Sequence, residues 1–366
     1  MSPTTNGPPN PVLRNGPLPV EVIFHPSWWR RHAGIVFDED FFYHPARRVE
    51  VERRMEQVLY DRFGDLGLGE DRDRDLPVIG AVHNAAGYLV SEMLGCDVKY
   101  GEGAPPLVVP SQRPDLALDA GASFSSPVYR RLRRLMDALK TQFGYLVGDV
   151  NWAGLLNLAL DLRGQDIFLD MLDRPGEVRT YIGKIAAVIE RFTSEIERET
   201  GTTSISVNRT VRHIRGPIFL HSECALTMIS TAHYEEFILP HDCAWSELHR
   251  PFGVHYCGAD AHRFADAFAK IPHLDFLDVG WGGDLRVLRE KLPRTFLNIR
   301  LSPIEIIDQS SDEIRAAIVA RFAASNDSYL TGICCINMDD RVTDDKIRAI
   351  FETVSDLREA GFLPTV

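Results

Sequence analysis

The sequence predicts an α/β fold, a single (β/α)8 TIM barrel with an N-terminal extension. Three observations carry that prediction. Short β-like runs alternate with helical patterns, which implies a parallel sheet with helices outside it. The alternation continues from about residue 20 to the C-terminus with no long linker and no internal repeat, so the whole span 20–366 reads as one domain. No glycine-rich phosphate loop follows the first run, as the rival open doubly wound sheet would normally show.

Residues 1–19 are rich in Pro, Gly and Asn and are expected to form a disordered arm. The β-like runs are Val20–Phe24, Leu76–Val82, Phe143–Val147, Ser204–Val207, Pro217–His221, Phe252–Tyr256, Asp275–Val279, Thr295–Ile299 and Tyr329–Ile333. Two of the helices between and after them are marked clearly. Glu177–Thr200 carries Val178, Ile182, Ile185, Ile189 and Phe192 on one face and stops at Gly201. Asp344–Ala360 carries Ile347, Ile350, Phe351, Val354 and Leu357 and stops at Gly361. Only about nine residues separate the run at 204–207 from the next, fewer than the dozen or so of a parallel crossover, so it reads as a local hairpin arm. The remaining runs match the eight strands of a barrel. Gly67–Asp75 and Gly101–Pro114 read as loops that leave and rejoin the domain.

Composition bounds the function. The chain has 366 residues, of which 45% are hydrophobic and 25% charged, the profile of an ordinary globular protein. The net charge of −12 argues against nucleic acid or an anionic membrane as partner, since both need a cationic footprint. The basic run Arg130, Arg131, Arg133 and Arg134 is interleaved with Val128, Leu132, Leu135, Met136 and Leu139 at helical spacing, which makes it a solvated helix face. No apolar run reaches the length of a membrane helix, and no secretion signal opens the chain. The 6 cysteines are sparse and are expected to be reduced thiols in a cytoplasmic protein.

In a barrel of this type, chemistry is supplied from the C-terminal ends of the strands. The polar residues at those ends are His83, Asp149, Asn151, Glu223, His255, Cys257, Asp278, Trp281, Arg300 and Cys334. His255 and Cys257 alternate onto one side of a single strand end, and imidazole nitrogen and thiolate sulfur are zinc ligands. A second strand-like run ends in Cys334-Cys335 and offers another sulfur. The residues alone leave two readings open, half of a zinc site or a buried histidine beside a small apolar cysteine.

The set His255-x-Cys257 followed at a distance by Cys334 resembles the zinc signature of the methyltransferase branch of the uroporphyrinogen decarboxylase superfamily, which includes the methylcobamide:coenzyme M methyltransferases. Gly148-Asp-Val-Asn-Trp-Ala-Gly154 is similar to that family's glycine-led strand end. Phe168-Leu-Asp-Met-Leu-Asp-Arg-Pro175 is similar to the turn after it, and Ile229-Ser-Thr-Ala-His-Tyr-Glu-Glu-Phe-Ile-Leu-Pro240 to its Ser-Pro-x-x-Tyr-x-x-Phe-x-x-Pro helix. Where the decarboxylases carry Arg-Gln-Ala-Gly-Arg, this chain reads Arg31-His32-Ala33-Gly34-Ile35, so one arginine of the pair that grips tetrapyrrole carboxylates is missing.

The resemblance implies zinc held by His255, Cys257 and Cys334, with Cys335 the alternative third sulfur. It also implies a small thiol as methyl acceptor and a methyl-corrinoid on a separate partner protein as donor. Glu223 is either a fourth ligand or a carboxylate that orients a loop, and Asp278 is the second candidate catalytic carboxylate. Asn151, Trp281, Arg300 and His83 are candidates for binding the corrinoid or the substrate. Cys96, Cys224 and Cys243 are expected to be structural. A metal-independent decarboxylase using Asp278 and Arg31, and a non-catalytic corrinoid- or metal-binding accessory protein, are the rival expectations. A homodimer is compatible with the sequence, although no long exposed apolar stripe demands one.

Overall fold

A computed structural model describes residues 16–71, 74–79, 87–148, 151–202 and 209–360. Its centre is a curled six-stranded sheet, entirely parallel, in the order β1-β10-β9-β8-β7-β6. These strands are β1 (Val20–Phe24), β6 (Phe219–Ser222), β7 (Phe252–His255), β8 (Phe276–Val279), β9 (Phe296–Leu301) and β10 (Thr331–Met338). Every residue of β1 and of β6 to β9 is buried, as expected of strands covered on both faces. A separate parallel pair joins β2 (Val78–Ile79) to β5 (Val147–Gly148). The chain thus makes a mixed α/β, barrel-like fold, with β1 pairing β10 so that the first and last strands of the sheet meet.

The expected helices are present. Pro175–Thr200 buries Val178, Ile182, Ile185, Ile189 and Phe192 and ends on Gly201 at φ 78°. That left-handed conformation is inexpensive only for glycine. Asp344–Glu359 buries the expected apolar stripe. The basic run lies on Pro127–Phe143, where Leu132, Leu135, Met136 and Leu139 face inward. Arg131 bridges to Glu39 and Glu92, and Arg133 to Glu199.

The stretch expected to be a proline-rich loop at 101–114 is instead an antiparallel hairpin, β3 (Asp97–Gly101) with β4 (Ala104–Val109). Its alternation is half-exposed and interrupted by Pro105 and Pro106, which an edge strand tolerates. The run at 204–207 and the first part of the expected arm, residues 1–15, lie outside the described residues. Within the rest of that arm Leu18 is buried, and its amide donates to the Ser328 carbonyl at 2.7 Å. Among the described residues no helix is long and apolar enough to cross a membrane.

Candidate metal centre

Sheet register assembles the centre. In a parallel sheet, paired residues point to the same face, so each register row is a row of neighbouring side chains. His255 pairs with Asp278, Asp278 with Asn298, and Gly332 with Asn298. Arg300 and Cys334, each two residues farther on, pair with each other one layer nearer the strand ends. A single face therefore presents His255, Asp278 and Asn298 below, with Arg300 and Cys334 above. Gly280 lets the segment after β7 cross close over the end of β8, because a Cβ there would run into the Gly258 carbonyl.

Cys224 comes from the neighbouring strand. It follows β6 by two residues, and β6 lies directly beside β7. The turn that holds it is clamped from both sides. The Glu223 amide donates to the His255 carbonyl at 3.0 Å. The Glu223 carboxylate accepts from the Leu156 amide at 2.9 Å and the Asn157 amide at 3.1 Å, the first turn of the helix Leu155–Arg163. An anion at that end meets unpaired N–H groups and the positive end of the helix dipole. Asn157 closes the clamp by donating to the Ser222 carbonyl at 2.8 Å and accepting from the Ala225 amide at 2.9 Å.

Cys224, His255 and Cys257 bring one ligand atom each to within 4.8 Å of one another, and no other such group of three occurs among the described residues. His255 Nε2 lies 2.9 Å from Cys257 Sγ. The structure pairs Cys224 with Cys257 as a disulfide, their Cα atoms 5.0 Å apart, where the sequence leads to an expectation of reduced thiols; in the reduced form both sulfurs are free to serve as ligands. On the far side of the imidazole, Nδ1 meets Asp278 Oδ2. Asp278 Oδ1 in turn accepts from Asn298 Nδ2 at 3.1 Å. The Arg300 guanidinium is buried beside the pair, with Nη1 3.5 Å from His255 Nε2 and 3.4 Å from Cys257 Sγ. Its Cζ is 5.5 Å from the centre of the Trp281 ring.

The donor set suits zinc. Bonds of about 2.0–2.3 Å in a tetrahedral arrangement place ligand atoms about 3.3–3.8 Å apart, inside the span the three already occupy. An imidazole that faces a carboxylate through its other nitrogen is the usual way a metal-binding histidine is oriented.

The expected residues are not all in this group. Cys334 lies behind it, fully buried, with Asn298 Nδ2 at 3.2 Å and Asp278 Oδ1 at 3.9 Å from its sulfur. Burial, reinforced by the Asp278 carboxylate, pushes its thiol well above the usual range. Cys335 points to the opposite face, toward the Leu301 carbonyl and Met338 Sδ, and burial pushes its thiol up to about 12. Glu223 has both oxygens on the helix end. Asn151 is buried, and its Nδ2 has no partner among the described residues. His83 and Asp149 lie outside the described residues.

Cys224, expected from the sequence to be structural, stands in this group instead, and two further contributors carried no expectation, Asn298 and a polar cluster under the clamp. In that cluster His221 Nδ1 is 2.6 Å from Asp242 Oδ1, and its Nε2 is 3.1 Å from Glu223 Oε2. Tyr234 donates to Asp242 Oδ2 at 2.6 Å. Burial opposes a charge on His221, but Asp242 and Glu223 outweigh it and push the imidazole up to about 9. Cys224 did leave a signal, since it stands two residues past a strand end, as Cys257 does.

No protein-family model matches the chain, and no curated protein matches it. Solved structures share its fold. A methyltransferase from Methanosarcina mazei superposes with a TM-score of 0.65 over 94% of this chain and 95% of its own, at 11% sequence identity. A B12-independent methionine synthase from Shewanella sp. W3-18-1, in complex with selenomethionine, superposes with a TM-score of 0.50 over 94% of this chain and 98% of its own, also at 11% identity.

Proposed function

We propose that the protein is a zinc-dependent methyltransferase that moves a methyl group from a methyl-corrinoid, carried on a separate protein, to a small thiol in a reducing, cytoplasmic setting. The observation that carries the proposal is the convergence of Cys224, His255 and Cys257 within 4.8 Å at the C-terminal end of adjacent parallel strands. The likeness in fold to solved methyltransferases and the resemblance of His255-x-Cys257 to the zinc-containing branch support it. In this reading β2 and β5 stand between β1 and β6 and complete an eight-stranded barrel, with the centre at its mouth.

Cys224, His255 and Cys257 would hold the zinc, and the metal would supply Lewis acidity toward a thiol substrate. The chain's own residues prepare that site. Asp278 keeps the His255 proton on Nδ1, so that Nε2 faces the sulfurs, and Asn298 fixes the Asp278 carboxylate. Glu223 and Asn157 hold Cys224 in place. Arg300 and Trp281 line the approach to Cys257, where a second substrate enters.

Cys224 is the third ligand on grounds of proximity. Cys334, the sulfur implied by the resemblance, is the rival, favoured by its place on the same face one layer above Asn298. Metal content of the reduced, purified protein separates the two. About one zinc per chain, lost in Cys257→Ala and in Cys224→Ala but retained in Cys334→Ala, is the result expected. Loss in Cys334→Ala with retention in Cys224→Ala would assign the third ligand to Cys334. A folded wild type that takes up no zinc would refute the metal reading. Methyl transfer from methylcobalamin to a panel of thiols then tests the reaction, and its absence in zinc-replete protein would refute it.

A further inference from the structure

We propose that Cys224 and Cys257 are a site of reversible oxidation, a dithiol that closes to a disulfide and thereby withdraws both sulfurs from the metal centre. The withdrawal rests on the zinc reading above, whereas the dithiol site itself does not.

Geometry sets this pair apart from the other cysteines. Their Cα atoms are 5.0 Å apart, inside the range of roughly 4.4–6.8 Å that a disulfide requires, so closure needs no movement of the sheet. They come from adjacent parallel strands, and the Glu223 amide-to-His255 carbonyl bond of 3.0 Å ties the two segments together. Both are only partly buried, so a small oxidant can reach them. Cys96, Cys334 and Cys335 are buried, and Cys243 lies on the outer helix Leu239–Leu248, away from the sheet face. Cys257 also has the environment of a reactive sulfur. Its sulfur has His255 Nε2 at 2.9 Å and the Arg300 guanidinium, a hydrogen-bond donor, at 3.4 Å.

The oxidant is a hydroperoxide, with hydrogen peroxide the simplest. The Cys257 sulfur attacks one peroxide oxygen, the O–O bond breaks, and hydroxide leaves, giving a sulfenic acid. The Cys224 thiolate then attacks the Cys257 sulfur. The S–O bond breaks, the S–S bond forms, and a second hydroxide leaves. The two sulfurs lose two electrons in all, and one peroxide becomes two waters after protonation. A dithiol reductant reverses the change by exchange through a mixed disulfide. A disulfide has no thiolate to offer a metal, so His255 is left as the sole ligand of the three and zinc departs.

The test uses the full-length protein, reduced, desalted and loaded with zinc, then treated with hydrogen peroxide. Peptide mapping after differential alkylation should find Cys224 linked to Cys257. Titratable thiols in the denatured protein should fall from 6 by two. Zinc should appear in step on a chromogenic chelator, and dithiothreitol with added zinc should restore the starting state. Cys224→Ser should abolish the link, and Cys334→Ser should leave it intact. Oxidation of Cys257 to a sulfinic acid with Cys224 still free, or a link between any other pair, would overturn the proposal. A protein that forms the link yet binds no zinc when reduced would uphold the dithiol site and refute the zinc reading.

Discussion

Asp278→Asn tests whether the carboxylate behind His255 tunes a metal centre. The substitution keeps the shape and removes the charge. The new amide oxygen can still accept from His255 Nδ1, which turns its NH2 group toward Asn298 Nδ2, now a donor facing a donor. Asn298 can relieve that clash by rotating its own amide, because its Oδ1 has no partner among the described residues. The rotation costs Cys334 its donor at 3.2 Å, a weak bond to sulfur. The hydrogen-bond count is thus nearly restored, and the principal loss is the negative charge against the imidazole. Loss of such a partner costs about 10–100-fold in metal affinity, which is about 1.4–2.7 kcal/mol. Zinc affinity by competition with a chromophoric chelator measures it, with circular dichroism confirming the fold. Asp278→Ala should cost more, because it leaves His255 Nδ1 without this acceptor and removes one of the two acceptors of Asn298 Nδ2. Unchanged affinity in a folded, zinc-binding Asp278→Asn protein would refute the role assigned to the carboxylate.

Two further predictions concern the clamp beneath Cys224. Gly154 has an ordinary φ of −71°, but a Cβ there would stand 2.5 Å from the Ser222 carbonyl, 2.6 Å from Glu223 Oε2 and 2.8 Å from His221 Nε2. Gly154→Ala should therefore lower stability by about 1–3 kcal/mol through overpacking. Gly176→Ala, with nothing within 4 Å, should raise it by about 0.4–1 kcal/mol. Urea unfolding midpoints decide both, and a stabilised Gly154→Ala would contradict the packing described. His221 is held at about 9 against an ordinary 6.5, so folding favours its charged form. That contribution, about 3 kcal/mol at most, is complete below 6.5 and is lost as pH rises through 9. Asp242→Asn should flatten the fall in unfolding free energy between pH 6 and about 9.5 relative to wild type, and parallel curves would rule the pair out as its source.

The strand pattern was largely visible in the sequence because buried parallel strands are short apolar runs, and their spacing carries the βα alternation. The hairpin β3–β4 was not. Asp97-Val98-Lys99-Tyr100 alternates over only four residues and stays half-exposed, Pro105 and Pro106 interrupt its partner, and the hairpin forms where backbone pairing, not burial, defines the element. The parts of the centre that a single strand carries could also be read. His255 and Cys257 are two residues apart, and alternation alone puts them on one side. Asn298 had no such local mark. It matters because register places it beside Asp278, and register appears only when neighbouring strands are paired.

Cys224 makes the same point about the third sulfur. A sequence motif weighs residues by resemblance, which favoured Cys334, yet a ligand must reach its partners across real strands. From His255 on β7, Cys334 on β10 lies three strands away in sheet order, with β8 and β9 between, whereas Cys224 follows the adjacent β6. Adjacent parallel strands lie about 4.8 Å apart, so residues just past neighbouring strand ends reach one point with short side chains. Residues three strands apart can meet only across the concave face of the curled sheet. Here the Cys334 sulfur already has Asn298 Nδ2 at 3.2 Å and Asp278 Oδ1 at 3.9 Å, while the Arg300 guanidinium, from the strand beside it, stands 3.4 Å from Cys257 Sγ. Arg300 is 2% exposed, and its Nη1 is already on Cys257. If Cys334 is nevertheless the ligand, Arg300→Met should strengthen zinc binding by removing a cation that stands beside both Cys334 and Cys257. If Cys224 is the ligand, the same substitution should leave affinity unchanged or weaken it, through loss of a donor to the Cys257 thiolate. Chelator competition on that one variant therefore measures which of the two sulfurs the fold uses.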